Sequence, residues 1–476
     1  MEEVGTPRTT ADPSLQADLH CLRNRLLPST IRRAWKGSRY YRELYDRAGV
    51  DAQAILTVDD LPHLPVVRKA DIRRAAHDAR CFPETTRVSH IQHTSGTTSK
   101  PLFFYRSADE VRFISQFFSQ LSRDASQDIS ELPLTLVLSG MDWHGTPTPI
   151  PGNAFPIHCS LLSESYFSVA VDLLRNEFDI PNVTPRVRTL TGANELLTFT
   201  SWCLERGINC KEEFAVQSIQ LTGFYLTSRW RKLLSDVWGA VVLDRYTLSE
   251  HFGGATRISL HDGFRFDPHI AYELVDFSTH LPVVEGPGMM LLTSLYPFVQ
   301  LQPLIRYWTA DIFVSHPESR DGAPAFEFLG RESHALFHPD DPGQLLLSGV
   351  DVVEALDSYP DVARTSNFRE HSDLRFHGAD GYPLFGGLYQ RSNGKLIFRL
   401  QVAVITSPHV FPNRLRDLQE SMRADVLARS QRLTDMVECG EAEFTVEHVS
   451  AGQLDVTFGS EHERLEAPPP TWRPAQ

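Results

Sequence analysis

The chain has 476 residues, 41% hydrophobic and 22% charged, with a formal net charge of −14. That length is too great for one core and requires two or three domains, and the acidity excludes a protein that coats nucleic acid non-specifically. No apolar run approaches the ~20 residues needed to span a bilayer, and residues 1–17 lack the apolar centre of a signal peptide, so the sequence reads as soluble and cytoplasmic.

In chain order, residues 1–17 read as a disordered polar tail. Residues 19–48 carry a helical period that places Ile31, Ala34, Trp35, Tyr41 and Leu44 near one face, with Pro28 dividing it into two helices. A loop over 57–72 leads into a short helix. Residues 88–92 and 102–105 read as a hairpin, 107–125 as a helix, and 134–139 as a buried parallel strand ended by Gly140. Strand–helix alternation continues through strands at 218–222 and 240–244, with a helix over 227–237 between them. This alternation predicts α/β architecture with a largely parallel sheet. From 257 to 313 short strands prevail, which marks a β-rich subdomain. Past Gly330 the texture becomes α+β, with strands at 401–406, 442–449 and 453–458, one amphipathic helix over 413–437, and a polar, Pro-rich tail from Glu461. The expected organisation is a large lobe over 18–330 with mixed parallel sheets, followed by a small mobile domain over 331–476.

Six cysteines, at 21, 81, 159, 203, 210 and 439, include no C-x-x-C pair. That excludes a zinc knuckle and fits reduced thiols. Lysine occurs at only six positions, 36, 69, 100, 211, 232 and 395, so each can be weighed singly.

One of them, Lys100, ends the densest polar motif in the chain, His93-Thr94-Ser95-Gly96-Thr97-Thr98-Ser99-Lys100-Pro101. Gly96 permits a tight turn, hydroxyls and backbone N–H groups can face an anion, and Lys100 adds a cation. The spacing is not that of a P-loop. A Ser/Thr/Gly cluster is also what a plain loop between strands looks like. Three further segments follow strands, where open α/β sheets bind ligands: Leu221-Thr222-Gly223-Phe224-Tyr225, Tyr246-Thr247-Leu248-Ser249-Glu250 and Arg306-Tyr307-Trp308-Thr309-Ala310-Asp311. Gly330-Arg331-Glu332 marks the domain boundary.

In this order the motifs resemble the adenylate-forming superfamily, and within it the phenylacetate–CoA ligase-like branch. Tyr40-Tyr41-Arg42, Ala48-Gly49-Val50, Leu61, Leu64-Pro65 and Lys69-Ala70-Asp71-Ile72-Arg73 resemble that branch's N-terminal signature. The resemblance implies activation of a small carboxylic acid by ATP and Mg²⁺ as an acyl-adenylate, with pyrophosphate released. Transfer to CoA, a carrier-protein thiol or an amine would follow, and a homodimer stays open. It implies that Thr94, Ser95, Gly96, Thr97, Thr98 and Lys100 hold the β and γ phosphates. Gly223, Phe224 and Tyr225 would lie against adenine, with Tyr246 stacked on it. Thr247 would sit near the α-phosphate, Glu250 would bind Mg²⁺, Asp311 would accept both ribose hydroxyls, and Arg331 would reach ribose or phosphate. Trp143 and His144 after the 134–139 strand suit an aryl or heteroaryl acid, with Asn194 and Phe224 lining the same pocket.

Several positions depart from that pattern. Ser99 replaces a second glycine, and Glu332, Ser333 and His334 occupy the hinge where acidic residues are common. Residues 315–327 lack the cysteines of a zinc cluster that some branch members carry. Gln453 stands where the family has its near-terminal lysine, and no lysine follows Lys395. Glutamine donates hydrogen bonds but offsets no charge. This leaves open an adenylate-forming enzyme with an unusual acceptor, a hydroxyl or an inorganic nitrogen nucleophile, and a binder of little activity.

Overall fold

The computed structural model describes residues 13–81, 87–94, 101–125, 131–139, 154–161, 163–258, 262–283, 285–316, 324–364, 383–407, 410–450, 454 and 472–474. Helix α1 (Pro13–Gly37) starts inside the expected tail, with proline where its missing N–H costs nothing. It also runs through Pro28 unbroken, because Leu27 and Ile31 are both fully buried beside it and that burial outweighs one lost hydrogen bond. The break falls instead at Ser38, whose side chain accepts from Tyr41 N–H to cap α2 (Arg39–Ala48). Helix α3 (Lys69–Ala75) follows the loop. Strands β1 (Val88–His93) and β2 (Phe103–Ser107) form the expected antiparallel hairpin and lead into α4 (Ala108–Ala125).

The alternating region contains β3 (Leu132–Ser139), β4 (Phe155–Ser160), α5 (Glu164–Arg175), β5 (Val183–Gly192), α6 (Glu195–Glu205), α7 (Cys210–Glu213), β6 (Ser218–Thr222), α8 (Ser228–Trp238), β7 (Val241–Thr247), β8 (Gly254–Arg257) and β9 (Arg265–Phe266). They build a seven-stranded sheet in the order β4-β3-β5-β6-β7-β8-β9. The first five strands are parallel and the last two antiparallel. Leu136, Leu190 and Ile219 of the sheet pack with Phe167, Phe199 and Trp238 of the helices, so the parallel strands are apolar as buried strands must be.

Four antiparallel strands make the β-rich subdomain: β10 (Ile270–Val275), β11 (Pro287–Ser294), β12 (Tyr307–Ser315) and β13 (Phe326–Arg331). The chain then forms β14 (Leu336–His338), β15 (Asp341–Leu347), α9 (Gly349–Leu356), β16 (Phe385–Ser392), β17 (Lys395–Ala403), α10 (Pro412–Leu427), α11 (Gln431–Glu438), β18 (Ala442–Val449) and β19 (Trp472–Pro474). Strands β14 and β15 pair as a separate antiparallel sheet, and the other four form a sheet of order β18-β17-β16-β19.

Three sequence expectations change in this last part. The strand placed at 401–406 begins at Lys395 and ends at Ala403. The single helix over 413–437 is two helices, divided where Ser430 accepts from Leu433 N–H as a cap and donates to the Leu346 carbonyl; a capping serine starts a helix better than it continues one. The polar tail returns to the sheet as β19, parallel to β16. Trp472 lies over Gly387, where a Cβ would stand 2.2 Å from the indole, so only glycine admits that ring. Of the strand expected at 453–458, all but Leu454 lies outside the described residues.

Candidate active site

The turn between β7 and β8 is buttressed from several sides. Thr247 pairs with Gly254 and Tyr246 with Ala255, and a Cβ on Gly254 would lie 1.8 Å from the Tyr246 carbonyl. Arg106 Nη2 donates to the Glu250 carbonyl at 2.7 Å. Ser294 Oγ lies 2.9 Å from His251 Nδ1, and His269 Nε2 lies 2.5 Å from the Phe252 carbonyl. Gly254 N–H donates to Asp267 Oδ2 at 2.7 Å, and Asp267 is paired with Arg245. Burial pushes His251 down to about 3, with Arg106 and His269 adding to the shift, so its ring is neutral at pH 7. The Arg106 side chain is wholly buried, and Nε and Nη1 have no hydrogen-bond partner among the described residues.

What this scaffold presents is the Glu250 carboxylate. Tyr307 OH donates to Oε1 at 3.2 Å, and Lys69 Nζ stands 3.4 Å from the same oxygen. Oε2 has no partner among the described residues. Lys69 arrives there because Val67 bridges to the start of β12: Val67 N–H donates to the Arg306 carbonyl and Trp308 N–H to the Val67 carbonyl. Arg306 fastens the same loop by donating to the Pro62 and Leu64 carbonyls while pairing with Glu273. Among the described residues no group of three or more His, Cys, Asp or Glu could hold a metal. One open carboxylate oxygen fits Mg²⁺ that arrives on phosphates, since that ion takes one or two carboxylates and keeps water.

Asp311 forms the second focus. It stands opposite Arg331 in the β12–β13 register, with Arg331 Nε 3.4 Å from Oδ1. Tyr246 OH donates to Oδ2 at 2.7 Å. Asp311 is only 1% exposed, and that burial raises its pKa against the lowering effect of Arg331. The Tyr246 ring meets Phe264, Phe266 and Phe313 edge-on and Phe328 at a tilt. Glu250 and Lys69 both act electrostatically on Asp311, so the two foci share one region.

The remaining site residues read from sequence are placed as follows. Thr247 Oγ1 lies 2.8 Å from Thr222 Oγ1, joining the ends of β6 and β7. Gly223 is exposed at a φ of +84°. Phe224 packs on the core of the seven-stranded sheet. Tyr225 sets its ring against Phe328 and donates its hydroxyl to Glu354 of α9 at 2.8 Å. The structure thus turns Phe224 and Tyr225, read together as one adenine contact, toward different partners. Asn194 is buried just before α6. Thr94 is buried, its Oγ1 accepting from Leu102 N–H at 3.1 Å. Ser95, Gly96, Thr97, Thr98, Ser99, Lys100, Trp143, His144 and Gln453 lie outside the described residues. Lys395 stands at the β16–β17 hairpin of the small domain.

Lys69, Tyr307 and Arg106 went unassigned in the sequence. Lys69 and Tyr307 lie inside quoted motifs, and the local signal was there without a role. Arg106 carried no signal, because its target is a backbone carbonyl 144 positions away.

Contacts at the start of α8 join the lobes. Glu354 accepts from Ser228 N–H at 2.9 Å. Asp357 accepts from Thr227 and Arg229 there, and from Arg364 on its own side. Just after β13, Glu332 accepts from Trp308 Nε1 at 3.1 Å, while Arg68 stacks over the Trp308 ring at 4.0 Å. Burial lowers His334 to about 4, with Arg331 adding to the shift.

No family model matches the sequence. A phenylacetate–coenzyme A ligase of Thermus thermophilus is 23% identical over 304 residues, 62% of this chain and 65% of that protein. The chain therefore spans just under two thirds of that relative's length. Among solved structures, an open conformation of 2-hydroxyisobutyryl-CoA ligase, in complex with 2-HIB-AMP and CoA, superposes with a TM-score of 0.65. It is 16% identical, with 97% of this chain and 95% of that one covered. The postadenylation state of that ligase in complex with R3-HIB-AMP gives a TM-score of 0.62 at the same identity, covering 96% and 93%. The chain shares the fold of these 2-hydroxyisobutyryl-CoA ligase structures. Its sequence is similar to that phenylacetate–coenzyme A ligase. No helix among the described residues is long and apolar enough to cross a membrane.

Proposed function

We propose that the chain is an AMP-forming acid ligase that activates a small carboxylic acid, aryl or heteroaryl in character, as its acyl-adenylate. The observation that carries this reading is the shared region of Glu250 with Lys69 and Tyr307 beside Asp311 with Tyr246 and Arg331. A carboxylate is a poor acyl donor until its oxygen is joined to phosphorus. Attack on the α-phosphorus of ATP makes the carboxyl–AMP anhydride and releases pyrophosphate. Each oxygen that gains charge on the way needs a donor or a cation.

In this reading Asp311 accepts from the ribose, Tyr246 lies against the adenine, and Thr247 and Arg331 approach the phosphates. Glu250 would hold Mg²⁺, and the ion would neutralise phosphate charge. Residues 94–98 with Lys100 grip the β and γ phosphates, and Trp143, His144 and Asn194 line the acid pocket. The residues from 331 onward serve as the mobile domain, swinging at the Trp308–Glu332 contact for transfer to CoA. Lys69 is a site cation in this arrangement, paired with Glu250 Oε1.

The test is acid-dependent pyrophosphate release over a library of carboxylic acids, with and without CoA. Wild type should turn over at least one aryl or heteroaryl acid. Glu250→Gln should lower that rate about a hundredfold while leaving the melting temperature nearly unchanged. Equal rates in the two proteins would remove Glu250 from the mechanism, and no release with any acid would end the proposal.

A further inference from the structure

Both oxygens of Asp311 are engaged in the protein alone, Oδ2 by the Tyr246 hydroxyl at 2.7 Å and Oδ1 by Arg331 Nε at 3.4 Å. The proposed nucleotide site gives this carboxylate a second task, to accept from ribose hydroxyls. A phenol hydroxyl and a ribose hydroxyl are equivalent donors toward a carboxylate oxygen. At 1% exposure Asp311 has little open surface on which to add donors to those already present.

We propose that the Tyr246 hydroxyl stands in for a ribose hydroxyl, occupying Asp311 Oδ2 until a nucleotide binds and yielding that oxygen when it does. Tyr246 is then a positioning residue that sets how strictly the site demands a ribonucleotide. The inference rests on the nucleotide reading of this region.

One observation makes the exchange workable. The ring packs edge-on against Phe264, Phe266 and Phe313, and a shift of about 0.5 Å between phenol and carboxylate takes their 2.7 Å contact beyond a normal hydrogen bond.

Exchange has a consequence for selectivity. Where one hydroxyl replaces another, each ribose hydroxyl adds little net affinity, and a deoxynucleotide is tolerated because Tyr246 stays on Oδ2. Without the phenol oxygen, a deoxynucleotide leaves a buried carboxylate oxygen unpaired, which is costly.

Titration calorimetry of ATP, 2′-deoxy-ATP, 3′-deoxy-ATP and 2′,3′-dideoxy-ATP against wild type and Tyr246→Phe tests this. Wild type should prefer ATP over the dideoxy compound by less than about tenfold, and Tyr246→Phe should widen that preference by about a further tenfold. A preference equal within about twofold in the two proteins overturns the proposal. Crystal structures of wild type with AMP and with dideoxy-AMP carry the test if the variant fails to fold. Tyr246 and Asp311 should be parted with AMP and rejoined with the analogue; a contact kept below about 3.2 Å with AMP overturns it. Wild type that binds none of the nucleotides removes the underlying reading as well, an outcome distinct from binding with unchanged preference.

Discussion

Residues 250–254 are held by Arg106, Ser294, Asp267 and His269, whereas the β16 edge of the small-domain sheet is held by Trp472 lying over Gly387 and beside Phe398. Both regions fix a tight geometry. The first does so with buried polar groups, several of them charged, and the second with an aromatic ring. Apolar contact stabilises wherever it is made; a buried cation must recover its lost solvation through geometry. The contrast teaches that fixing a reactive carboxylate and stabilising a domain are separate tasks here.

The strongest way to break the comparison is Trp472→Ala. The indole is 4% exposed within the small-domain core, and its loss should cost about 4 kcal/mol, seen as an earlier unfolding transition in urea. ATP affinity, which the comparison assigns to the large lobe, should stay within about twofold. A parallel loss of affinity would show that the two regions are not independent.

The reverse sign is expected at Arg106. Its side chain is fully buried, donates one hydrogen bond to the Glu250 carbonyl and leaves Nε and Nη1 with no hydrogen-bond partner among the described residues. Arg106→Met fills similar volume without a buried charge and should raise stability by about 1–2 kcal/mol. Pyrophosphate release should fall, because Glu250 loses the anchor of its carbonyl. Thermal melting and rate measured on one preparation decide it: lower stability together with unchanged rate would make Arg106 an ordinary core residue.

How much of this was legible in the sequence follows the same division. The parallel strands, the hairpin around the hydroxyl-rich loop and the β-rich texture after Arg257 could be read because apolar periodicity is local. Tyr246, Glu250, Asp311 and Arg331 could be singled out because each sits in a short motif, although Asp311 lies within β12 and not after a strand as the sequence suggested. The buttress could not, since Arg106, Ser294 and His269 meet their targets only after the sheets assemble. The helix break was misplaced for a related reason. Pro28 is visible in sequence, while the burial of Leu27 and Ile31 that carries the helix past it is tertiary. Trp472 in a Pro-rich tail gave no strand signal, because its partner is the bare backbone of Gly387.

The smallest expected effect sharpens the comparison at the level of backbone strain. In the small domain the left-handed residues of the β16–β17 hairpin are Asn393 and Gly394, at φ +51° and +79°, the pair such a turn prefers. In the large lobe Ala310 holds φ +61° directly before Asp311. The strand bulges there, with Met290 of β11 set against residues 309–311 between the Leu291–Trp308 and Met289–Ile312 pairs. Thr309 ties the bulge by donating to the Met290 carbonyl at 2.8 Å and accepting from Asp311 N–H at 3.1 Å. A left-handed alanine costs about 1–2 kcal/mol, and glycine relieves that while losing about 0.5–1 kcal/mol to chain entropy. Ala310→Gly should therefore gain about 0.5 kcal/mol in urea unfolding. ATP affinity should hold, because the β12–β13 register still sets Asp311 opposite Arg331. A net loss of stability would mean that the Thr309 bonds already carry the bulge without strain, and the large lobe would then differ from the small one in its polar anchors alone.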